Sequence, residues 1–253
     1  MNAFNISLDN SKACADILNV FKINEAATEK GEQTRHEILK SALRLFRDQG
    51  FDATTMRDIA ADAGVALGAA YYYFPGKESI IQAYYKAVQA EHENKISEAL
   101  ATRKMDLKER LQFVMRSKLD ILENDRKLLG VIFRYSGEPD HPLSCLGPGT
   151  AESRRESIEI FTRAIEDEKL PKDLRQLLPI SLWALHMGAL ILFIYDKSPQ
   201  QQRTRKLVDG ALDLTMRLLS LAKNPLLRPF RSRVLELLRD AELLPDFVTQ
   251  ETS

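Results

Sequence analysis

Cysteine is nearly absent from this chain: its 253 residues hold two, Cys14 and Cys145. Two thiols cannot build a disulfide framework, so stability must come from packing, and a reducing cytoplasm is the expected location. Charge of one sign is missing too, because 36 Lys and Arg meet 36 Asp and Glu. A polyanion is therefore not held by bulk attraction; only a local patch can do it. Residues 1–20 lack a basic segment followed by an apolar run, so no export leader is expected there. Internal repeats, low-complexity tracts and strand-like alternation between Asn-Gly or Asp-Gly turns are also lacking. Catalytic signatures are lacking as well: no Gly-rich phosphate loop, no paired histidine–carboxylate metal motif and no nucleophile elbow. Neither an enzyme nor a cofactor is expected.

What remains is a helical pattern. Hydrophobic residues make up 44% and charged residues 28%, enough to bury a core in one or two domains. The 11 glycines and 10 prolines punctuate the chain rather than fill it. The fold class expected is all-α. Residues 1–33 read as a loosely held extension, with a weak helical pattern near Ala13, Ile17, Val20 and Phe21. A first firm helix is expected from Thr34, where Thr34-x-x-Glu37 has the form of a capping box. Ile38, Ala42, Leu45 and Phe46 share its apolar face, and Gly50 ends it in a left-handed position. A second capping pattern, Thr55-x-x-Asp58, opens a short helix that Ala63-Gly64-Val65 breaks. Another short helix follows to about Tyr72, Pro75-Gly76 stops it, and a long helix runs from near Lys77 towards Leu100. Downstream, helices are expected near 106–123, 125–135, 151–168, 172–196, 204–222 and 229–241. The segment 136–149 is the one long loop, of a length that is often functional or mobile.

Helix, tight glycine turn and second short helix together describe a helix-turn-helix. Ala60 is small enough for two helices to cross closely, Gly64 can take positive φ, and Val65 plugs the corner. The second helix is then free to enter a major groove. The string TMRDIAADAGVALGAAYYYF from Thr55 to Phe74, followed by Gly76-Lys77-Glu78, resembles the DNA-binding domain of the TetR family of bacterial repressors. The resemblance covers residues 34 to about 84. It implies a helix-turn-helix domain over 34–80 and a helical effector-binding and dimerisation domain over 81–253. It also implies a homodimer on a double-stranded, palindromic DNA operator, released by a small-molecule effector. Residue by residue, it puts Thr55 and Arg57 on phosphate, with Arg57 also in reach of a guanine edge. Ala66, Leu67, Gly68, Ala69 and Ala70 lead the recognition helix. Tyr71 and Tyr72 contact the backbone through their hydroxyls, and Lys77 pairs with a phosphate; Tyr73 and Phe74 are expected in the core.

Two departures from the family pattern stand out. Ala66 stands where the family usually carries a serine cap, and Leu67 and Ala69 stand where relatives often carry Lys or Thr. Small apolar side chains cannot donate to base edges but can touch thymine methyls. Between residues 31 and 78, six basic side chains face seven acidic ones. Affinity must then come from placed contacts, with a modest salt dependence. These features also admit a lipid- or small-molecule-binding protein of the same fold that no longer binds DNA.

Leu177–Ile194 runs eighteen positions without a charged residue, long enough to span a membrane. Pro179, Ser181 and His186 inside it, and amphipathic helices around it, favour a buried helix, and no membrane partner is expected. The family's dimer seam would be formed by helices near 172–196 and 204–222. The latter carries Leu207, Ala211, Leu214, Leu218 and Ala222 on one stripe. Candidate effector-lining residues are Phe113, Phe133, Tyr135, Phe161, Trp183, His186 and Met187, which favour an apolar or aromatic effector. Asp140, His141 and Cys145 are too few for a structural metal site. His36 and His92 are expected to be solvated.

Overall fold

The computed structural model describes residues 29–241 except 139, and among these it is helical without strands. Ten helices follow one another: α1 (Glu29–Asp48), α2 (Met56–Asp62), α3 (Leu67–Tyr73), α4 (Lys77–Thr102), α5 (Leu107–Ile121), α6 (Arg126–Ser136), α7 (Ala151–Ala164), α8 (Lys172–Tyr195), α9 (Gln202–Ala222) and α10 (Arg228–Asp240). The all-α expectation holds, and most boundaries fall within a few residues of those read from periodicity. The pattern near Ala13 to Phe21, and Cys14, lie outside the described residues.

The start of α1 differs from expectation. The helix begins at Glu29, so Thr34 lies inside it and is not its cap; the Thr34 hydroxyl donates to the Lys30 carbonyl at 2.9 Å. Glu29 and Glu32 in the first turn and Arg47 in the last complement the helix dipole, which lets the polar run continue the helix. Gly50 follows at φ +94°, a conformation that costs a side-chain-bearing residue energy.

Contacts divide the described chain into two compact units. One combines residues up to His92 with Lys127–Gly149; the other combines Glu93–Arg126 with the residues from Thr150 onward. The domain boundary expected at 80/81 falls inside α4, whereas this grouping also assigns α6 and the following loop to the first unit.

In the first unit, Ile38, Leu39, Ala42, Leu43 and Phe46 from α1 are buried with Ile59, Ala60, Ala70, Phe74, Ile80, Ile81 and Tyr84. His92 is buried, so the solvated reading is corrected. The 137–149 loop is packed rather than loose. Leu143 is buried, Gln82 Nε2 donates to the Pro142 carbonyl at 3.3 Å, and Cys145 N donates to the Ser136 carbonyl at 3.2 Å. At Gly149 a Cβ would stand 2.5 Å from the Pro142 oxygen, so only glycine lets the chain pass.

In the second unit α7 packs on α8, α9 on α5 and α8, and α10 on α8. Leu111, Met115, Leu119, Phe161, Phe193 and Leu212 are among the buried residues. Asp106 caps α5 with a reciprocal bond from Glu109. Arg126 closes the end of α8 by donating to the carbonyls of Phe193 (2.9 Å), Ile194 (3.1 Å) and Asp196. Asp196 in turn accepts from Thr204 N at 2.8 Å and starts α9. Burial opposes ionisation of Asp196, but hydrogen bonds from Ser198 and Thr204 prevail and hold its carboxyl well below the usual range. By length and composition α8 is apolar enough to cross a membrane; half of its most apolar window is buried in this unit.

Candidate nucleic-acid interface

The reading head is assembled from three local devices. The Thr55 capping box is complete: its hydroxyl oxygen accepts from Asp58 N at 3.2 Å, while Thr55 N donates to Asp58 Oδ2 at 2.8 Å. Hydrogen bonds from the Thr55 hydroxyl and then its backbone hold the Asp58 carboxyl below its ordinary range. The turn is closed at Gly64, φ +67°, and Val65 N reaches back to the Ala60 carbonyl at 3.0 Å. A branched or bulky residue at Gly64 would meet open space yet be strained by its own backbone. Ala60 and Ala70 are both buried where α2 and α3 pack, small enough for a close crossing.

Helix α3 begins at Ala66, whose backbone is extended and which supplies no side-chain cap. Ala70 is the only fully buried residue of this helix. Leu67 and Ala69 are half-buried, Ala66 and Gly68 are exposed, and Gly68 has open space where a side chain would stand. Tyr71 and Tyr72 are 49% and 81% exposed, whereas Phe74 is buried and Tyr73 half-buried beside Tyr72. Thr55 and Arg57 are exposed on the preceding helix. The residues selected from the motif thus gather on α2, α3 and the start of α4.

Lys77 has a duty that its sequence position did not reveal. Its ammonium donates to the Phe51 carbonyl at 2.6 Å, lies 3.5 Å from the Asp52 carbonyl and sits 4.5 Å from the Phe51 ring centroid. It ties the start of α4 to the turn after α1. Next to it, Asp52 accepts from the Tyr135 hydroxyl at 2.7 Å and from Arg134 at 2.9 Å. The bond from Tyr135, then that from Arg134, lowers the Asp52 carboxyl, and the same bond raises the Tyr135 phenol. The Tyr135 ring stacks on His141, centroids 4.5 Å apart. This clamp joins residues 82 or more positions apart, and no local pattern announces it.

The seven effector candidates divide between the two units. Phe133 and Tyr135 belong to the first unit, and Tyr135 is engaged with Asp52; the other five belong to the second. Phe161 meets His186 edge-on at 5.7 Å, and both are buried. Burial foremost, then the charge of Lys118, pushes the His186 imidazole down to about 3. Trp183 packs on Ile158, Leu177, Ile180 and Leu235. Phe113 is half-buried under the Arg103 guanidinium at 4.9 Å, and Met187 is half-buried. Among the described residues no group of three or more His, Cys, Asp or Glu side chains could hold a metal.

Comparison with known proteins finds two successive matches. Residues 38–84 match the family of bacterial regulatory proteins called tetR, and residues 110–235 match the tetracyclin repressor-like C-terminal domain. The HTH-type transcriptional regulator TtgR of Pseudomonas putida is 36% identical over 66 residues, 26% of this chain and 31% of that protein. The dual regulator CecR of Shigella flexneri is 46% identical over 57 residues, 22% of this chain and 25% of that protein. The chain therefore spans between about a quarter and a third of the curated relatives it matches. Among solved structures, a TetR regulator from Nitrosomonas europaea aligns with TM-score 0.59 at 20% identity, over 71% of this chain and 96% of that one. The fatty acid degradation regulator FadR of Bacillus halodurans aligns with TM-score 0.57 at 18% identity, over 74% and 96%. At such identities the two structures speak for the fold alone. Two family models, matched in order and together covering more than half of its length, show that the chain belongs to the TetR family of bacterial regulatory proteins, a family of helix-turn-helix transcription regulators and not of enzymes.

Proposed function

We propose that this protein is a ligand-responsive repressor that acts in the cytoplasm, binds a palindromic operator as a homodimer and leaves it when a small apolar or aromatic effector binds. The observation that carries the DNA-reading part is the face of α3: its two largest exposed side chains, Tyr71 and Tyr72, point away from a head held together through Ala70. Arg57 and the tyrosine hydroxyls serve phosphates, Thr55, whose donors go to Asp58, caps the helix that carries Arg57, and Lys77 keeps a donor for a phosphate beyond its bonds to the Phe51 and Asp52 carbonyls. Ala66, Leu67, Gly68 and Ala69 offer methyls and bare backbone to thymine, with Arg57 in reach of a guanine edge.

The dimer reading draws support from α9, which has two apolar faces. Val208, Leu212 and Leu219 are buried within the chain, while Leu207, Leu214, Leu218 and Leu221 remain exposed. Ile191, Leu192 and Tyr195 of α8 are exposed as well, and a second copy would cover both sets. Twofold symmetry then sets half-sites about 34–36 Å apart. For the effector, Phe161, Trp183, His186, Met187 and Phe113 are the lining candidates of the second unit, with Phe133 and Tyr135 in the first.

Selection of bound genomic fragments, followed by fluorescence anisotropy on the enriched sequence, tests this reading. A palindrome should emerge, and Arg57→Ala should weaken binding to it by about 1–3 kcal/mol. Replacing operator thymine with uracil should weaken it too. A protein that prefers no native promoter over bulk duplex at low salt would instead be a small-molecule carrier on the same fold.

A further inference from the structure

The second unit also holds an open cleft between the start of α8, the turn after α9 and the face of α10 that carries Arg231 and Leu235, enclosing about 1110 Å³. None of the effector candidates lines it. Six cations do: Lys172, Arg175, Lys223, Arg228, Arg231 and Arg239, against the two carboxylates of Asp173 and Glu236. In a chain whose charges balance 36 to 36, this is a local concentration of one sign.

Ordinary surface cations are scattered and offset by neighbouring carboxylates; these are not. Asp173 is already engaged by Arg231 Nε at 2.6 Å, and Glu236 by Arg233, outside the cleft, at 3.0 Å. Among the described residues, Lys172, Lys223, Arg228 and Arg239 form no ion pair. The floor, by contrast, is firmly set. Arg231 is buried, and besides Asp173 it donates to the Asn224 carbonyl at 3.0 Å and to the Ala222 carbonyl, joining α8, α9 and α10. Arg175 donates to the carbonyls of Glu166 and Glu168 at 3.0 and 2.6 Å rather than to a carboxylate. A rigid floor under free cations is a preorganised anion receptor, and a concave basic wall focuses field lines onto it.

Size narrows the ligand. Arg228 and Arg239 stand eleven residues apart on α10, which is about 16 Å along its axis. One inorganic phosphate would leave most of that span unfilled, and Leu235 lies between the two arginines along the cleft. Guanidinium forks match phosphoryl oxygens best. We propose that this cleft binds an elongated, small phosphorylated metabolite carrying two or more phosphoryl groups. The proposal stands independently of DNA reading and of the apolar effector.

Calorimetric titration of the full-length protein with magnesium-free ATP, and separately with inorganic tripolyphosphate, at low ionic strength reads the cleft directly. Saturable binding of one molecule per chain is expected, weakened at least about tenfold by Arg228→Glu combined with Arg239→Glu. Lys104→Glu combined with Lys127→Glu makes the same change in net charge at exposed lysines elsewhere, and should cost less than about twofold. No saturable binding of either probe, or equal losses in the two double variants, overturns the proposal.

Discussion

His186 shows what a single buried titratable group does to the whole protein. With its imidazole pushed down to about 3 by burial, the folded chain keeps it neutral, whereas the unfolded chain takes up a proton near 6.5. Between those values the unfolded state binds more protons. Stability is therefore complete above about 6.5 and falls as pH falls through the window, by up to about 1.4 kcal/mol per unit. Thermal denaturation of the wild type should weaken from pH 7.5 to 5, and His186→Leu should flatten that slope. An unchanged slope would mean that the folded protein admits the proton. At Thr55 the sign is simpler, because its hydroxyl oxygen supplies the half of the capping box that accepts from Asp58 N. Thr55→Ala should lower stability by about 1 kcal/mol, read as a shifted urea midpoint at constant m-value.

Among the elements, α3 is the least supported by its own sequence. Ala66 gives it no cap, and Gly68 in its first turn weakens it further. Ala66→Ser should add about 1 kcal/mol to the stability of the head, seen as slower hydrogen exchange across α3. If the side chain fails to cap, exchange will not change. This helix, α2 and the glycine turn were legible because capping, periodicity and glycine punctuation are local signals. The start of α1 was misread for the same reason: Thr34-x-x-Glu37 has the form of a cap, but the hydroxyl bonds to Lys30 within a helix already under way. The Asp52–Tyr135 clamp and the second duty of Lys77 were invisible, since partners distant in sequence leave no period to read. The scattered cations of the cleft were hidden likewise, each ordinary alone and joined only by the folding of α8 to α10. The effector candidates share no spacing in sequence, and they divide between the two units.

For the molecule as a whole, the exposed leucines of α9 carry the test of assembly. Leu214→Lys with Leu218→Lys alters side chains that the subunit does not bury, so each chain should keep its helicity. Light scattering should then report a monomer, and operator affinity should fall by orders of magnitude as the two heads lose their shared tether. A dimer surviving that change would move the seam elsewhere. The head itself divides labour between residues that hold it together and residues that face outward. Of all α3, Ala70 alone is fully sunk in the fold, and Gly68 and Tyr72 are exposed, so those two can change identity at little cost to folding. If α3 reads the operator as proposed, descendants of this protein can acquire a new genomic address there one mutation at a time, without passing through a form that collapses.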